Sequence, residues 1–105
     1  MMPGRTLSTV VALTLAASFS AQAETIQITM ENLVISPAEA SAKVGDTIEW
    51  INKDVFVHTA TARNGDWDVN LPAKKTGTLV LKKAGVIDYY CRLHPNMKAK
   101  LTVAP

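Results

Sequence analysis

Short stretches in which apolar and polar residues alternate make up most of the chain after its first two dozen residues. The clearest are Thr25 to Leu33, Thr47 to Asn52, Gly77 to Lys83, Val86 to Cys91 and Lys98 to Val103. A period of two residues is typical of a β-strand with one buried face. Turn-forming pairs such as Gly45-Asp46 separate the stretches, and none has the apolar spacing of an amphipathic helix. With a further extended segment from Val55 to Thr61, the sequence predicts six or seven short strands.

Such a series of strands predicts an all-β fold, a two-sheet antiparallel β-sandwich with Greek-key connections. Strand parity places Cys91 on the inward face of its stretch and Asp88 on the outward face. The segment Ala62 to Thr76 lacks alternation and is predicted to be irregular, with Trp67 and Leu71 as its contacts to the core. Ala38 to Lys43 fits either a short helical turn or an irregular strand.

The first 23 residues have the pattern of a secretory signal peptide. Arg5 is followed by the mostly apolar or small run Leu7 to Phe19 and by Ala21-Gln22-Ala23, a small-x-small cleavage pattern. An apolar run of about 13 residues is shorter than the roughly 20 that span a bilayer, so a retained anchor is the weaker alternative. We therefore predict cleavage before Glu24, a single domain over residues 24–105, a periplasmic location and no membrane span in the mature chain.

The predicted mature chain is small and nearly neutral. Removing 23 of the 105 residues leaves 82, which is enough for one small domain. Ten basic residues then face nine acidic ones, a net charge of +1. This balance argues against the strongly basic face that nucleic-acid binding requires. We expect a monomer that binds no nucleic acid.

The single cysteine and both histidines of the chain point to a metal site. Cys91, His94 and Met97 are each separated by two residues within the run CRLHPNM, and His58 lies upstream. An unpaired thiol in an oxidising compartment tends to oxidise or cross-link, whereas metal ligation keeps it as a protected thiolate. Two imidazoles and a thiolate with a weak thioether are the ligands of an electron-transfer copper centre, and they suit both Cu(II) and Cu(I).

Other uses of these residues fit the sequence less well. Cys91 could be an inert core residue and His58 a hydrogen-bonded structural one, but the cluster around them favours ligation. Structural zinc normally takes four Cys or His ligands, and an iron–sulfur cluster needs more cysteines. A nucleophilic Cys91–His94 enzyme would need Asp88 to orient the base, yet parity sends Asp88 to the opposite face. We therefore predict that the protein is not an enzyme.

Several segments match the pattern of a known family, namely Gly45-Asp46-Thr47-Ile48-Glu49-Trp50-Ile51-Asn52, His58, Ala84-Gly85-Val86-Ile87-Asp88-Tyr89-Tyr90-Cys91, His94-Pro95 and the Cys-x-x-His-x-x-Met loop. In these segments the chain resembles the cupredoxins, the small blue copper proteins, and most closely their amicyanin-like and pseudoazurin-like members. The resemblance implies that His58, Cys91 and His94 are strong copper ligands and that Met97 is the axial ligand. It also implies that His94 has an exposed ring edge for electron entry, within an apolar docking patch that includes Leu93 and Pro95.

The function implied is that of a periplasmic type 1 copper protein that cycles between Cu(II) and Cu(I). Its redox partners, a dehydrogenase, a reductase or a c-type cytochrome, would dock near His94. The alternative is a periplasmic copper-binding or copper-delivery protein with the same site but without fast electron transfer. The resemblance further implies that His94, rather than His58, protonates and leaves the reduced metal at low pH.

Two positions depart from the pattern of the family. Thr59 stands where the family commonly has an Asn whose side chain ties the two ligand loops together. Ala99 stands two residues after the axial methionine, where Gly is often found. The first departure bears on the hydrogen bonds around the metal, and the second on the backbone that follows the ligand loop.

Overall fold

The computed structural model describes residues 22–105, so most of the predicted signal peptide, residues 1–21, lies outside the described residues. The described chain contains nine β-strands, which are β1 Thr25–Glu31, β2 Val34–Ser36, β3 Glu39–Lys43, β4 Thr47–Asn52, β5 His58–Ala62, β6 Asp68–Leu71, β7 Thr76–Val80, β8 Gly85–Cys91 and β9 His94–Ala104. Within residues 22–105 there is no helix of the length and apolar character needed to cross a membrane.

The strands form two sheets, one with the order β2-β1-β4-β7 and the other with the order β3-β9-β8-β5-β6. The predicted β-sandwich is therefore confirmed. The sheets are mixed rather than wholly antiparallel, since β1 runs parallel to β4 and β3 runs parallel to β9. Alternation in a sequence identifies the buried face of a strand but not the direction of its neighbours, so it could not predict the two parallel strand pairs.

Side-chain parity follows the sequence closely in the strands that reach the core. In β8, Ile87, Tyr89 and Cys91 are buried, whereas Asp88 is exposed. The inward orientation predicted for Cys91 is therefore confirmed. In β4 the buried positions are Ile48, Trp50 and Asn52.

Two short strands, β2 and β6, were not predicted from the sequence, and a third, β3, is the strand alternative for the segment Ala38 to Lys43. Strand β2 has three residues, β3 has five and β6 has four. β6 lies inside the segment predicted to be irregular, where Leu71 is fully buried and Trp67 packs against the core as expected. Strands this short give too few residues for a period of two to stand out, and all three lie at the ends of their sheets.

Three aromatic rings contact one another in the sandwich, those of the buried Trp50 and Tyr89 and that of the partly buried Trp67. The ring centroid of Trp50 lies 5.4 Å from that of Trp67 and 5.6 Å from that of Tyr89. The indole Nε1 of Trp50 donates a hydrogen bond to the Tyr89 hydroxyl at 3.2 Å. Burial raises the pKa of Tyr89 to about 12, although this hydrogen bond opposes the shift. The Tyr89 hydroxyl therefore stays neutral at physiological pH.

A glycine in β7 allows the two sheets to approach each other. A Cβ atom added at Gly77 would lie 2.6 Å from Leu71 Cδ2 and 2.9 Å from Val69 Cγ1, both on β6. We expect Gly77→Ala to destabilise the domain by about 1–3 kcal/mol, because these contacts are too short to be accommodated without movement. Thr78→Ala, at the next and outward-facing position, should change stability by only about 0.5 kcal/mol. Denaturant unfolding of both variants measures the difference, and equal losses would contradict this steric explanation.

Candidate metal centre

Three neighbouring strands of the five-stranded sheet carry the predicted ligands. His58 begins β5, Cys91 ends β8 and His94 begins β9. His58 and Cys91 are fully buried, Met97 is 2% exposed and His94 is partly exposed. β5 and β8 are paired directly, and so are β8 and β9, so the sheet itself brings these distant parts of the sequence together.

The donor atoms form a small triangle. Nδ1 of His58 lies 3.2 Å from Nδ1 of His94, and Sγ of Cys91 lies 3.7 Å from the first nitrogen and 3.6 Å from the second. The centre of a triangle of this size is about 2 Å from each corner, close to the bond lengths of a transition metal to imidazole nitrogen and thiolate sulfur. The three side chains therefore fit around one metal ion without rearrangement.

A tight hairpin places His94 and Met97. Cys91 pairs with His94 across a two-residue turn, whereas the preceding pair is Tyr90 with Lys98. Between these pairs β8 advances by one residue and β9 by four, so a bulge on β9 holds the extra residues. The buried Met97 lies in this bulge and lines a surface hollow together with His94. Bulges often redirect side chains next to functional sites, and alternation alone could not have predicted this one.

Asp54, which the sequence analysis did not identify, holds the far side of the His58 ring. Its Oδ2 lies 2.8 Å from Nε2 of His58, and the backbone N–H groups of Asn32 and Leu33 donate to the same carboxylate. Burial disfavours its charged form, but the hydrogen bonds from His58, Leu33 and Asn32 outweigh burial and lower the pKa of Asp54. The only sequence signal was a carboxylate four residues before a histidine in a turn.

Thr59, which stands where the family commonly has an asparagine, links the two ligand segments. Its backbone N–H points at Cys91 Sγ at 3.4 Å. Its hydroxyl accepts a hydrogen bond of 2.8 Å from the backbone N–H of Arg92. The shorter side chain thus still connects β5 to the ligand hairpin.

The Thr59 hydroxyl also continues into a polar chain. It lies 2.9 Å from the Thr61 hydroxyl, which donates to Asp68 Oδ1 at 2.6 Å. Asp68 also accepts from Nε of Arg92 at 3.1 Å, which closes the chain on the hairpin. The hydrogen bond from Thr61 and the neighbouring Arg92 lower the pKa of Asp68.

Apolar side chains surround the exposed edge of His94. Phe56 packs edge-on against the His94 ring at a centroid distance of 5.8 Å. Leu33, Leu93 and Pro95 line the same hollow as His94. Large apolar residues are more than two fifths exposed at the β1–β2 turn, between β4 and β5, and in the β8–β9 turn. They are Leu33, Val34, Val55, Phe56, Val57 and Leu93. We call the residues Leu33, Phe56, Leu93 and Pro95 the apolar patch.

A nucleophilic cysteine is the alternative that the geometry must exclude. Asp54, His58 and Cys91 do form a carboxylate–imidazole–thiol series, with Asp54 in place of the Asp88 considered from the sequence. Cys91 is nevertheless 0% exposed, and the second histidine lies 3.6 Å from its sulfur. A substrate carbonyl would have no approach to this sulfur, so the arrangement favours metal binding over nucleophilic attack.

Comparison with known proteins places the chain in a family and gives two similar proteins. A family model described as cupredoxin-like domain matches residues 4–103. An amicyanin from Paracoccus denitrificans is 35% identical over 71 residues, which are 62% of this chain and 54% of that protein. The methylamine utilization protein MauL from Methylorubrum extorquens is 30% identical over 88 residues, which are 80% of this chain and 77% of that protein.

Solved structures give the same result for the fold. A Cu(I) structure of an amicyanin variant superposes with a TM-score of 0.65 at 27% identity, covering 75% of this chain and 81% of that one. An oxidised amicyanin variant superposes with a TM-score of 0.66 at 27% identity, covering 74% and 80%. The similarity therefore extends over most of both chains.

Proposed function

The chain belongs to the cupredoxin-like domain family, and from this membership we propose that it is a type 1 copper protein that carries single electrons between larger redox partners. Its cofactor is one copper ion. The observation that carries the proposal is the buried triangle of two imidazole nitrogens and one thiolate sulfur. When bound, the ion supplies a one-electron Cu(II)/Cu(I) couple.

The ligand roles follow from burial and position. We assign His58, Cys91 and His94 as the strong ligands and Met97 as the weak axial one. Imidazole and thiolate suit both oxidation states, whereas a thioether favours Cu(I). Strands on both sides hold His58 and Cys91, so these groups need to move little when an electron arrives.

His94 and the apolar patch provide a route by which an electron could pass between the metal and a docked partner. His94 is the ligand with an edge at the surface, and apolar residues surround that edge. A partner that docks there would exclude water and come within a short distance of the metal. We propose a dehydrogenase, a reductase or a c-type cytochrome as the class of partner. In this role the protein itself would catalyse no reaction.

We also propose that the protein is exported to the periplasm and cleaved before Glu24. Cleavage there would turn the Glu24 nitrogen, which lies 2.9 Å from Asp46 Oδ1, into an ammonium group. Asp46 is 2% exposed, so a buried carboxylate would then receive the new terminus. We expect the intact mass of the protein purified from the periplasm to correspond to residues 24–105. A mass that still includes the first 23 residues would contradict the proposal.

Electron self-exchange distinguishes a carrier from a copper-delivery protein. We expect fast self-exchange in the copper-loaded protein, because two copies can meet through the apolar patch. Leu93→Glu should slow it through charge repulsion, whereas Val86→Glu, at an exposed position near the other end of β8, should leave it unchanged. Slow exchange in the unmodified protein would favour delivery. Met30, the other methionine after residue 23, is fully buried and offers no surface thioether for that role.

A further inference from the structure

The carboxylate of Asp54 is placed to act on the metal centre through His58. It is 8% exposed and accepts hydrogen bonds from the Asn32 N–H at 2.7 Å and the Leu33 N–H at 3.0 Å, and its Oδ2 lies 2.8 Å from His58 Nε2. The two backbone amides favour the ionised form of the Asp54 carboxyl group, and an ionised carboxylate only accepts, so it has no proton to donate to the imidazole. The hydrogen bond to His58 must therefore run from Nε2–H to Asp54.

This direction fixes the tautomer of His58. A neutral imidazole carries its proton on one nitrogen, and the other nitrogen keeps a lone pair. With the proton on Nε2, the lone pair lies on Nδ1, the atom that faces Cys91 Sγ and His94 Nδ1. Asp54 thus presents His58 ready to ligate before any metal arrives.

A second set of contacts holds Asp54 itself. Its backbone N–H donates to Asn52 Oδ1 at 2.9 Å. The Asn52 side-chain amide donates in turn to the carbonyls of Phe56 at 2.8 Å and Leu71 at 3.0 Å. Asn52 is 1% exposed, so a buried amide braces the turn between β4 and β5 that carries both Asp54 and His58. The carboxylate is a built feature of this turn and not a surface group that happens to lie nearby.

We propose that Asp54 is a positioning residue of the copper centre, which locks His58 as the Nε2–H tautomer and lowers the reduction potential of the site. The proposal rests on the copper site described above. A full negative charge behind a ligand raises the basicity of that ligand and stabilises Cu(II) relative to Cu(I). A neutral acceptor at the same place would do so less.

Two variants separate geometry from charge. Asp54→Asn keeps the shape and one acceptor oxygen, so we expect copper to bind and the reduction potential to become more positive. Asp54→Ala removes the acceptor, so we expect both His58 tautomers in the apoprotein and a loss of copper affinity of about 10- to 100-fold.

Asp46→Asn is the matched control. Asp46 is also a buried aspartate that accepts from two main-chain nitrogens, those of Glu24 at 2.9 Å and Lys43 at 2.8 Å. It precedes β4, whereas Asp54 follows that strand, so it lies at the opposite end. We expect this substitution to leave the reduction potential unchanged. An equal shift in both Asn variants would overturn the proposal, because the effect would then be a general consequence of disturbing a buried carboxylate.

Nitrogen-15 NMR of the apoprotein tests the tautomer without copper. We expect the His58 ring of the unmodified protein to carry its proton on Nε2. A proton on Nδ1, or an unchanged reduction potential in Asp54→Asn, would overturn the proposal. Failure of the protein to give a type 1 copper spectrum would instead contradict the proposed function, and the NMR result on His58 would still stand by itself.

Discussion

Replacing Cys91 with alanine is expected to abolish the intense visible absorption of the Cu(II)-loaded protein. Such a band arises when light moves an electron from a thiolate sulfur to Cu(II), and Cys91 is the only cysteine in the chain. Its sulfur is fully buried between the two histidine rings, so no exogenous thiol can readily take its place. Addition of Cu(II) to the purified apoprotein, followed by an absorption spectrum, measures the effect.

Two further variants make this experiment specific. Cys91→Ser keeps an oxygen that can accept from the Thr59 N–H, yet it should also lose the band, because a hydroxyl is not a thiolate. Ile87→Val lies on the same inward face of β8 and should cost about 0.5–1.5 kcal/mol while the colour is kept. An intense band in either Cys91 variant, or a colourless unmodified protein, would exclude the proposed copper site.

The sequence predicted the donors of the hairpin, Cys91, His94 and Met97, because spacing and parity act locally. Cys91 ends a strand whose alternation fixes its inward face, and His94 and Met97 follow at short, regular intervals. The structure brings His58, Cys91 and His94 together as expected. The wide bulge that seats Met97 was not predictable, because it depends on the register between β8 and β9.

The groups around the ligands were harder to predict, because they come from turns. Asp54 reaches His58 only because Asn52 and the Asn32–Leu33 turn hold its segment in place. Thr59 was recognised as a departure from the family pattern, but its contact with the Arg92 N–H required the pairing of the two ligand segments to be known. Contacts between turns leave no periodic signal in a sequence.

The fold itself was predictable to the level of the sandwich but not to the level of strand direction. Long alternating strands such as β4 and β8 were found with nearly correct bounds. The parallel pairs β1–β4 and β3–β9 arise because the chain passes from one sheet to the other between β2 and β3. That crossover is a property of the whole topology and not of any single segment.

Replacing Trp50 with alanine is expected to cost about 3–5 kcal/mol of unfolding free energy. A domain of this size is stable by about 5–15 kcal/mol, so this one side chain accounts for a large share. Trp50 is fully buried, contacts the rings of Trp67 and Tyr89, and satisfies the Tyr89 hydroxyl. Denaturant unfolding of the apoprotein measures the loss without any contribution from bound copper.

A double-mutant cycle separates the packing of Trp50 from its hydrogen bond. Trp50→Phe keeps an aromatic ring but leaves the buried Tyr89 hydroxyl without its donor, which should cost about 1–3 kcal/mol beyond the lost volume. Tyr89→Phe leaves the indole N–H unpaired in the same way. The double variant removes both polar groups, so its loss should be smaller than the sum of the two single losses. Strictly additive losses would mean that the two rings stabilise the sandwich by packing alone.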